Sequence, residues 1–290
     1  MTNISELCQT STRAQQVFDE VFFGHSLPPL KPPLKWAGGK RWLVPIMKRY
    51  WRGHPLRRFV EAFCGGLAIT LALRPTRALL NDINPHLINF YNHLKTGLQI
   101  TIDVRYSESV YYSNRDRFNE LIRCNESHTS EAAQLFYYLN RSCFNGLCRF
   151  NQSGEFNVPF GSFVHGVKYA SEFFEYVESF NGWQFANVDF ERLVIEPEDF
   201  IYADPPYDVE FTAYSQGGFS WDDQERTARW LASHPGPVVL CNQATPKIEE
   251  LYRDHGFLIE YEQAPRRISS DGNRQPVKEV IATRNLKIIN

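Results

Sequence analysis

The sequence predicts a doubly wound, mostly parallel α/β sheet interrupted by a mainly helical insertion, and three observations carry that prediction. Arg58-Phe59-Val60-Glu61-Ala62-Phe63 reads as a strand, Cys64-Gly65-Gly66 as a tight turn and Leu67 to Leu73 as the start of a helix. Strand, Gly turn, helix is the nucleotide-binding arrangement of such a sheet. Ala78-Leu79-Leu80-Asn81-Asp82 is a second strand that ends in an acid. Phe200-Ile201-Tyr202-Ala203 is a short apolar run of the buried parallel kind, followed at once by Asp204-Pro205-Pro206-Tyr207.

Taken in order, residues 1–30 read as an extension. Ala14, Val17, Phe18, Val21 and Phe22 share one helical face, and Pro28, Pro29, Pro32 and Pro33 form a stiff linker. Residues 31–96 hold Leu34-Lys35-Trp36-Ala37-Gly38-Gly39-Lys40 and the first two strands. Leu87, Tyr91, Leu94 and Leu98 then make a helical stripe. From 97 to 170 the pattern changes. Tyr112 to Cys124 and Ser130 to Asn140 read as helices, Asn145-Gly146 as a hairpin turn and Gln152-Ser153-Gly154 as a second turn. The sheet resumes over 171–290. Trp183 to Val188 is a strand, Phe211 to Phe219 a loop able to close over a site, and Ser220 caps a helix running to Ser233. Val238 to Cys241, Phe257 to Glu262 and Lys278 to Thr283 supply later strands, the last two flanking a basic loop at 266–274.

Composition bounds the function. Apolar content is 43% over 290 residues, ordinary for a soluble globular chain. No apolar run reaches the ~20 residues of a membrane span, and a secretory signal is not expected at the N-terminus. The six cysteines are scattered without a C-x-x-C pair and the eight histidines lack metal-ligand spacing. We therefore expect reduced thiols, a cytoplasmic setting and no metal. The net charge of −2 gives no global basic field, so any nucleic-acid contact must rest on local patches. Candidates are Lys40-Arg41, Lys48-Arg49, Arg57-Arg58, Arg115 with Arg117, Arg141 with Arg149, and Arg266-Arg267; any one of them alone fits a solvated surface better, and it is their place beside the motifs that makes them candidates.

Asp204-Pro205-Pro206-Tyr207 stands at the carboxyl end of its strand, the edge where open α/β sheets bind ligands. Both prolines lack a backbone donor, so the reading leaves their carbonyls outward as acceptors. Carboxylate, carbonyl and aromatic face together suit a flat ring with an exocyclic amino group. Alone, the tetrapeptide fits a strand-to-loop turn as well. Gly38-Gly39-Lys40 lacks phosphate-loop spacing, and the Gly turn lacks the dinucleotide pattern. Asp82 sits at about the ribose-binding distance from that turn, or else caps a helix before Pro85. Aromatics, asparagines and arginines on the turns from Asn140 to Gly161 suit wedging into, stacking on and reading nucleic acid.

With these residues in view, the chain from Leu34 onward resembles the Dam family, the D12 class of DNA adenine-N6 methyltransferases. The resemblance rests on Lys-Trp-Ala-Gly-Gly-Lys at 35–40, the Phe59 to Gly65 strand and turn, Asn-Asp-Ile-Asn at 81–84 and Asn-Gly-Leu-Cys-Arg at 145–149. It also rests on Gly-Glu-Phe-Asn-Val-Pro-Phe-Gly at 154–161, the Asp204 motif and Arg-Arg-Ile-Ser-Ser at 266–270. It implies a Rossmann-like methyltransferase fold, S-adenosyl-L-methionine as donor and double-stranded DNA as substrate, with no membrane and no obligate protein partner. By position, Trp36, Lys40, Asp82 and Asp204 would contact the cofactor, with Glu61, Phe63 and Gly65 lining its pocket. Phe144 would wedge into the duplex and Asn145 would face the orphaned base. Leu147, Arg149 and Pro159 would read the site, with Arg149 on a guanine, and Lys35 would touch the outer base pair. Two departures stand out: Leu67 replaces a usual glycine, and Ser162 replaces an arginine common in the family, which bears on GATC as recognition sequence.

The mechanism expected is an in-line methyl transfer to a flipped adenine. Asp204 and the Pro205 carbonyl would accept the two N6 hydrogens, Pro206 would stiffen the lip and Tyr207 would stack on the base. The alternatives are a catalytically silent DNA-binding regulator on the same scaffold, or methyl transfer to another site or acceptor such as cytosine N4 or RNA.

Overall fold

The computed structural model describes residues 30–164, 166–207, 218–265 and 276–287. The expected N-terminal helix, the basic loop at 266–274 and all but the last two residues of the 211–219 loop lie outside them. Seven strands form one sheet: β1 (Phe59–Glu61), β2 (Ala78–Asn81), β3 (Trp183–Ala186), β4 (Phe200–Ala203), β5 (Val238–Gln243), β6 (Leu258–Ala264) and β7 (Val277–Arg284). Their spatial order is β3-β2-β1-β4-β5-β7-β6. The first five are parallel, while β7 runs antiparallel to β5 and β6 antiparallel to β7. The order reverses between β1 and β4, so the crevice of a doubly wound sheet opens outside their carboxyl ends.

The parallel strands β1, β2, β4 and β5 are buried on both faces, as continuous apolar runs require, while edge strand β3 is partly exposed. On one face Trp51 meets Phe59 and Phe200 edge-on at 5.4 and 5.3 Å, while Phe59 stacks on Phe200 at 5.7 Å. Val60, Ile201, Val238 and Leu240 face the other core with Ala228, Leu231 and Ile248. Helix α1 (Val44–Trp51) supplies Trp51, and α2 (Thr70–Leu73) follows the Gly turn. The expected helix from Leu67 starts later because Leu67 itself has φ 58°. A left-handed residue cannot sit inside a right-handed helix.

Helix α3 (Pro85–Lys95) is capped by Asn84, whose side chain accepts from the amides of His86 and Leu87. Helices α4 (Glu108–Arg123) and α5 (Ser130–Ser142) start at Ser107 and Thr129, each side chain accepting an amide in the first turn. Every residue from Ala132 to Asn140 is buried. Tyr137 stacks on Phe90 of α3 at 5.8 Å, so the helices of the insertion share one apolar core with the sheet. Short α6 (Phe174–Ser179) leads into β3; α7 (Trp221–Ser233) opens with a Ser220–Asp223 capping box, and α8 (Pro246–Asp254) precedes β6.

The Asn145-Gly146 expectation is half right. Both residues have positive φ, 53° and 65°, and Leu147 N donates to Phe144 O at 3.2 Å, the backbone a type I′ turn needs. It does not join paired strands. The antiparallel bridges are Cys143 with Phe160 and Phe150 with Phe156, so the hairpin apex lies at 151–155 and 145–146 is a protruding corner.

Candidate active site

The site assembles where β1, β2, β4 and β7 bring carboxylates to one crevice. Asp82 follows β2 and bridges two loops. Its Oδ2 accepts from Gly65 N and its Oδ1 from Asn84 N, both at 3.0 Å. Because Asn84 takes the capping role, Asp82 is not a helix cap. Burial pushes its carboxyl up, opposed by those two amides. Asn81 ties the strand ends together by donating to Ala62 O at 3.1 Å and Val188 O at 3.0 Å. Tyr91 donates to Gly65 O at 2.6 Å, which fixes the turn from below.

Trp36 lies across that turn. A Cβ on Gly65 would fall 2.6 Å from its indole nitrogen, and one on Gly66 would fall 2.8 Å from its Cβ. The glycines are there because the indole leaves no room for a side chain. Phe63 extends the wall, its ring 5.4 Å from Phe190 and 5.8 Å from Phe219. Glu61, at the end of β1, accepts from the Thr70 hydroxyl. Burial drives its carboxyl up to about 8.

Lys40 is the buried cation of the site, with a side chain only 4% exposed. Its Nζ lies 2.8 Å from Asp204 Oδ2, 3.7 Å from Glu279 Oε2 and 3.2 Å from Gly38 O, and 4.7 Å from the centre of the Tyr207 ring. Burial disfavours its charge, but Asp204 and then Glu279 more than offset that and hold the ammonium above the ordinary lysine value. Asp204 Oδ1 is buried and has no hydrogen-bond partner among the described residues. The two proline carbonyls are not equivalent, contrary to expectation. Gln224 on α7 donates to Pro206 O at 2.7 Å, and its own Oε1 accepts from Asn242, which also donates to the Tyr252 hydroxyl, both at 3.0 Å. That carbonyl is therefore occupied with stiffening the lip.

The strap carrying Trp36 and Lys40 is fastened to the insertion. Asn140 accepts from Lys35 N and donates to Lys35 O, both at 2.8 Å, and Lys35 Nζ donates to Arg141 O at 2.8 Å. The ammonium also sits 3.7 Å over the Phe163 ring. Phe144 is 50% exposed on the protruding corner beside exposed Asn145. Leu147 is half-buried and Pro159 exposed, its carbonyl accepting from Phe144 N at 2.9 Å. Arg149 is exposed but aimed, since its Nε donates to Asn157 Oδ1 at 2.8 Å. Two other basic candidates are tied up in ion pairs within the fold. Arg58 makes two bonds to buried Asp199, and Arg117 pairs with Glu120 and Glu131.

Sequence reasoning missed Glu279, Asn140 and Gln224. None has a local signature: Asn140, Gln224 and Glu279 lie on helices and a strand foreseen in the sequence, but their partners are set by contacts between distant segments.

A reversed sheet with acids at its switch point is the frame of an enzyme that holds a nucleoside-type ligand. The family model for D12 class N6 adenine-specific DNA methyltransferases matches residues 36–268. The Type II methyltransferase M1.LlaDCHI of Lactococcus lactis subsp. cremoris is 33% identical over 273 residues, covering 88% of this chain and 95% of that protein. A DNA adenine methylase of Vibrio cholerae is 36% identical over 267 residues, covering 86% and 94%. The Retron Ec67 DNA adenine methylase of Escherichia coli is 33% identical over 262 residues, covering 86% and 90%. The chain belongs to the D12 class of N6 adenine-specific DNA methyltransferases.

Proposed function

We propose that the protein transfers a methyl group from S-adenosyl-L-methionine to N6 of an adenine extruded from duplex DNA, within a short site whose first candidate is GATC. The carrying observation is Asp204: one carboxylate oxygen is held by Lys40, and the other is buried at the crevice with no hydrogen-bond partner among the described residues. A buried acceptor without a donor is costly, and an amino hydrogen would satisfy it.

The residues suit the donor. Glu61, Asp82 and Asp204 lie close enough to act on one another at the crevice, a carboxyl cluster that suits a ligand bearing sulfonium and ammonium charge. Trp36, Gly65 and Phe63 would form the walls, and Asp82 would meet the ribose. When bound, this donor supplies an electrophilic methyl on sulfur. Everything else falls to the chain. Asp204 Oδ1 and the Pro205 carbonyl accept hydrogen bonds from the two N6 hydrogens, which localises the nitrogen lone pair, and Asp204 is placed to receive the one proton that N6 loses once it carries the methyl. Tyr207 stacks on the base, a contact worth ~1–3 kcal/mol toward the cost of unstacking. Positioning and preorganised charge then supply most of the rate.

In this reading residues 31–96 and 171–290 form the cofactor and catalytic halves, 97–170 reads DNA, and 1–30 are an extension. Phe144 is the wedge, Asn145 faces the orphaned base, and Leu147, Arg149, Pro159 and Lys35 set the site. Work on chromosomal DNA places the protein in the cytoplasm. The test is incubation with labelled donor and unmodified genomic DNA, followed by sequencing of the modified positions. N6-methyladenine within GATC is the expected result; a different context would move the specificity, with Ser162 the first residue to examine. Asp204→Ala should abolish transfer while DNA binding survives. Undiminished turnover in that variant would rule out the mechanism.

A further inference from the structure

Glu279 is a buried carboxylate for which the mechanism above has no use. It lies on β7 opposite Gln243 of β5, and its side chain is 7% exposed. Its Oε2 has no hydrogen-bond partner among the described residues, although Lys40 Nζ is only 3.7 Å away. An ammonium has three N–H donors. Two of Lys40's are used, on Asp204 Oδ2 at 2.8 Å and Gly38 O at 3.2 Å. Lys40 therefore stands between two carboxylates, bonded to one and just short of the other.

That arrangement conflicts with the work assigned to Asp204. An ammonium on Oδ2 draws electron density from the carboxylate and weakens its other oxygen as an acceptor. Releasing the ammonium would restore that oxygen, but a lysine this buried cannot lose its counter-ion without a heavy desolvation penalty. A second carboxylate within reach removes the difficulty. Closing 3.7 Å to the length of a charge-assisted bond takes a movement of about 1 Å, which a lysine side chain can make by rotation.

We propose that Glu279 is a positioning residue that takes over the Lys40 ammonium when the amino group of the target base engages Asp204. The pairing changes from Lys40–Asp204 in the free protein to Lys40–Glu279 in the loaded one, and the number of buried charges stays constant. The inference rests on the methyl-transfer reading and adds a residue that reading does not contain.

The test is a double-mutant cycle on single-turnover methyl transfer to duplex DNA. Glu279→Gln keeps the shape and removes the charge. It should slow transfer roughly tenfold or more, the size of coupling found between contacting charged groups, with DNA affinity retained. In a Lys40→Met background the same change should cost less than about twofold, because a residue that acts through Lys40 has nothing left to act on. Full activity in Glu279→Gln overturns the proposal, and so does an equal factor in both backgrounds, which a purely structural role would produce. A wild-type protein that transfers no methyl group defeats the underlying reading instead. Should Glu279→Gln not fold, a crystal structure of the wild-type protein with duplex DNA and S-adenosylhomocysteine decides. Lys40 on Glu279 with the base in place supports the handover; Lys40 still on Asp204 overturns it.

Discussion

Leu67 shows how one residue can carry two opposed terms. Its backbone is left-handed at φ 58° and its side chain is fully buried. The conformation costs about 1–2 kcal/mol, and burying the leucine returns about 1.5–3 kcal/mol. That is why this left-handed position tolerates a large side chain. Glu61 is the second case, because its burial has a pH signature. Its carboxyl is lifted from an ordinary 4.5 to about 8, chiefly by burial. Below pH 4.5 folded and unfolded chains both hold the proton and nothing is lost. Between 4.5 and 8 only the unfolded chain releases it, so this group makes stability fall as pH rises through that window. Glu61→Gln should remove the slope. Its stability relative to wild type should be higher at pH 8 than at pH 4.5, measured by urea unfolding; an identical difference at both pH values would contradict the assignment.

Between elements, the informative contact is the fastening of the Lys35–Lys40 strap to α5. Asn140 is 1% exposed and satisfies both backbone groups of Lys35. Removing its amide strands a half-buried donor and acceptor of Lys35, at less than the ~1–3 kcal/mol of a fully buried group. Asn140→Ala should lower the melting temperature and weaken donor binding as well, since Trp36 and Lys40 follow directly on the strap. Loss of stability with unchanged donor affinity would show that the strap holds its place without the clamp. The same contact links the corner at Phe144 and Asn145 to the crevice, as Gly146 packs directly on Lys35: a Cβ there would fall 2.5 Å from the lysine Cβ.

Across the molecule, the two ends of the sheet divide the labour. The carboxyl edge gathers Glu61, Asp82, Asp204 and Lys40, and Asp204 Oδ1 there has no hydrogen-bond partner among the described residues. The amino edge is fully satisfied where Arg58 meets Asp199, by bonds of 2.9 and 2.7 Å, with Asp199 also accepting from Glu196 N at 2.6 Å. Breaking such a pair leaves an uncompensated buried charge, at about 3–5 kcal/mol. Arg58→Ala should therefore reduce stability by that order while leaving methyl transfer per folded molecule intact. A specific loss of transfer would mean that the amino edge also serves the site.

Much of this was legible in the residues themselves. Phe200 to Ala203 is apolar throughout and ends in Asp204, Ala78 to Asn81 ends in Asp82, and the Gly turn follows Glu61. Strand, edge and acid are encoded within a few adjacent positions, because burial of a parallel strand and the chemistry of its end are local properties. The Asn145-Gly146 pair likewise announced its left-handed backbone, yet not its partner, since turn chemistry sets φ and ψ but not which strands meet. Glu279 and Asn140 had no such signal. One reaches Lys40 through the antiparallel β5–β7 register, and the other reaches Lys35 across the seam between insertion and sheet. Sequence by itself determined the fold class, the family and the strand-end motif at Asp204 on which the proposed chemistry rests. Only the tertiary structure decided which buried charges face one another, because that depends on contacts between segments far apart in the chain.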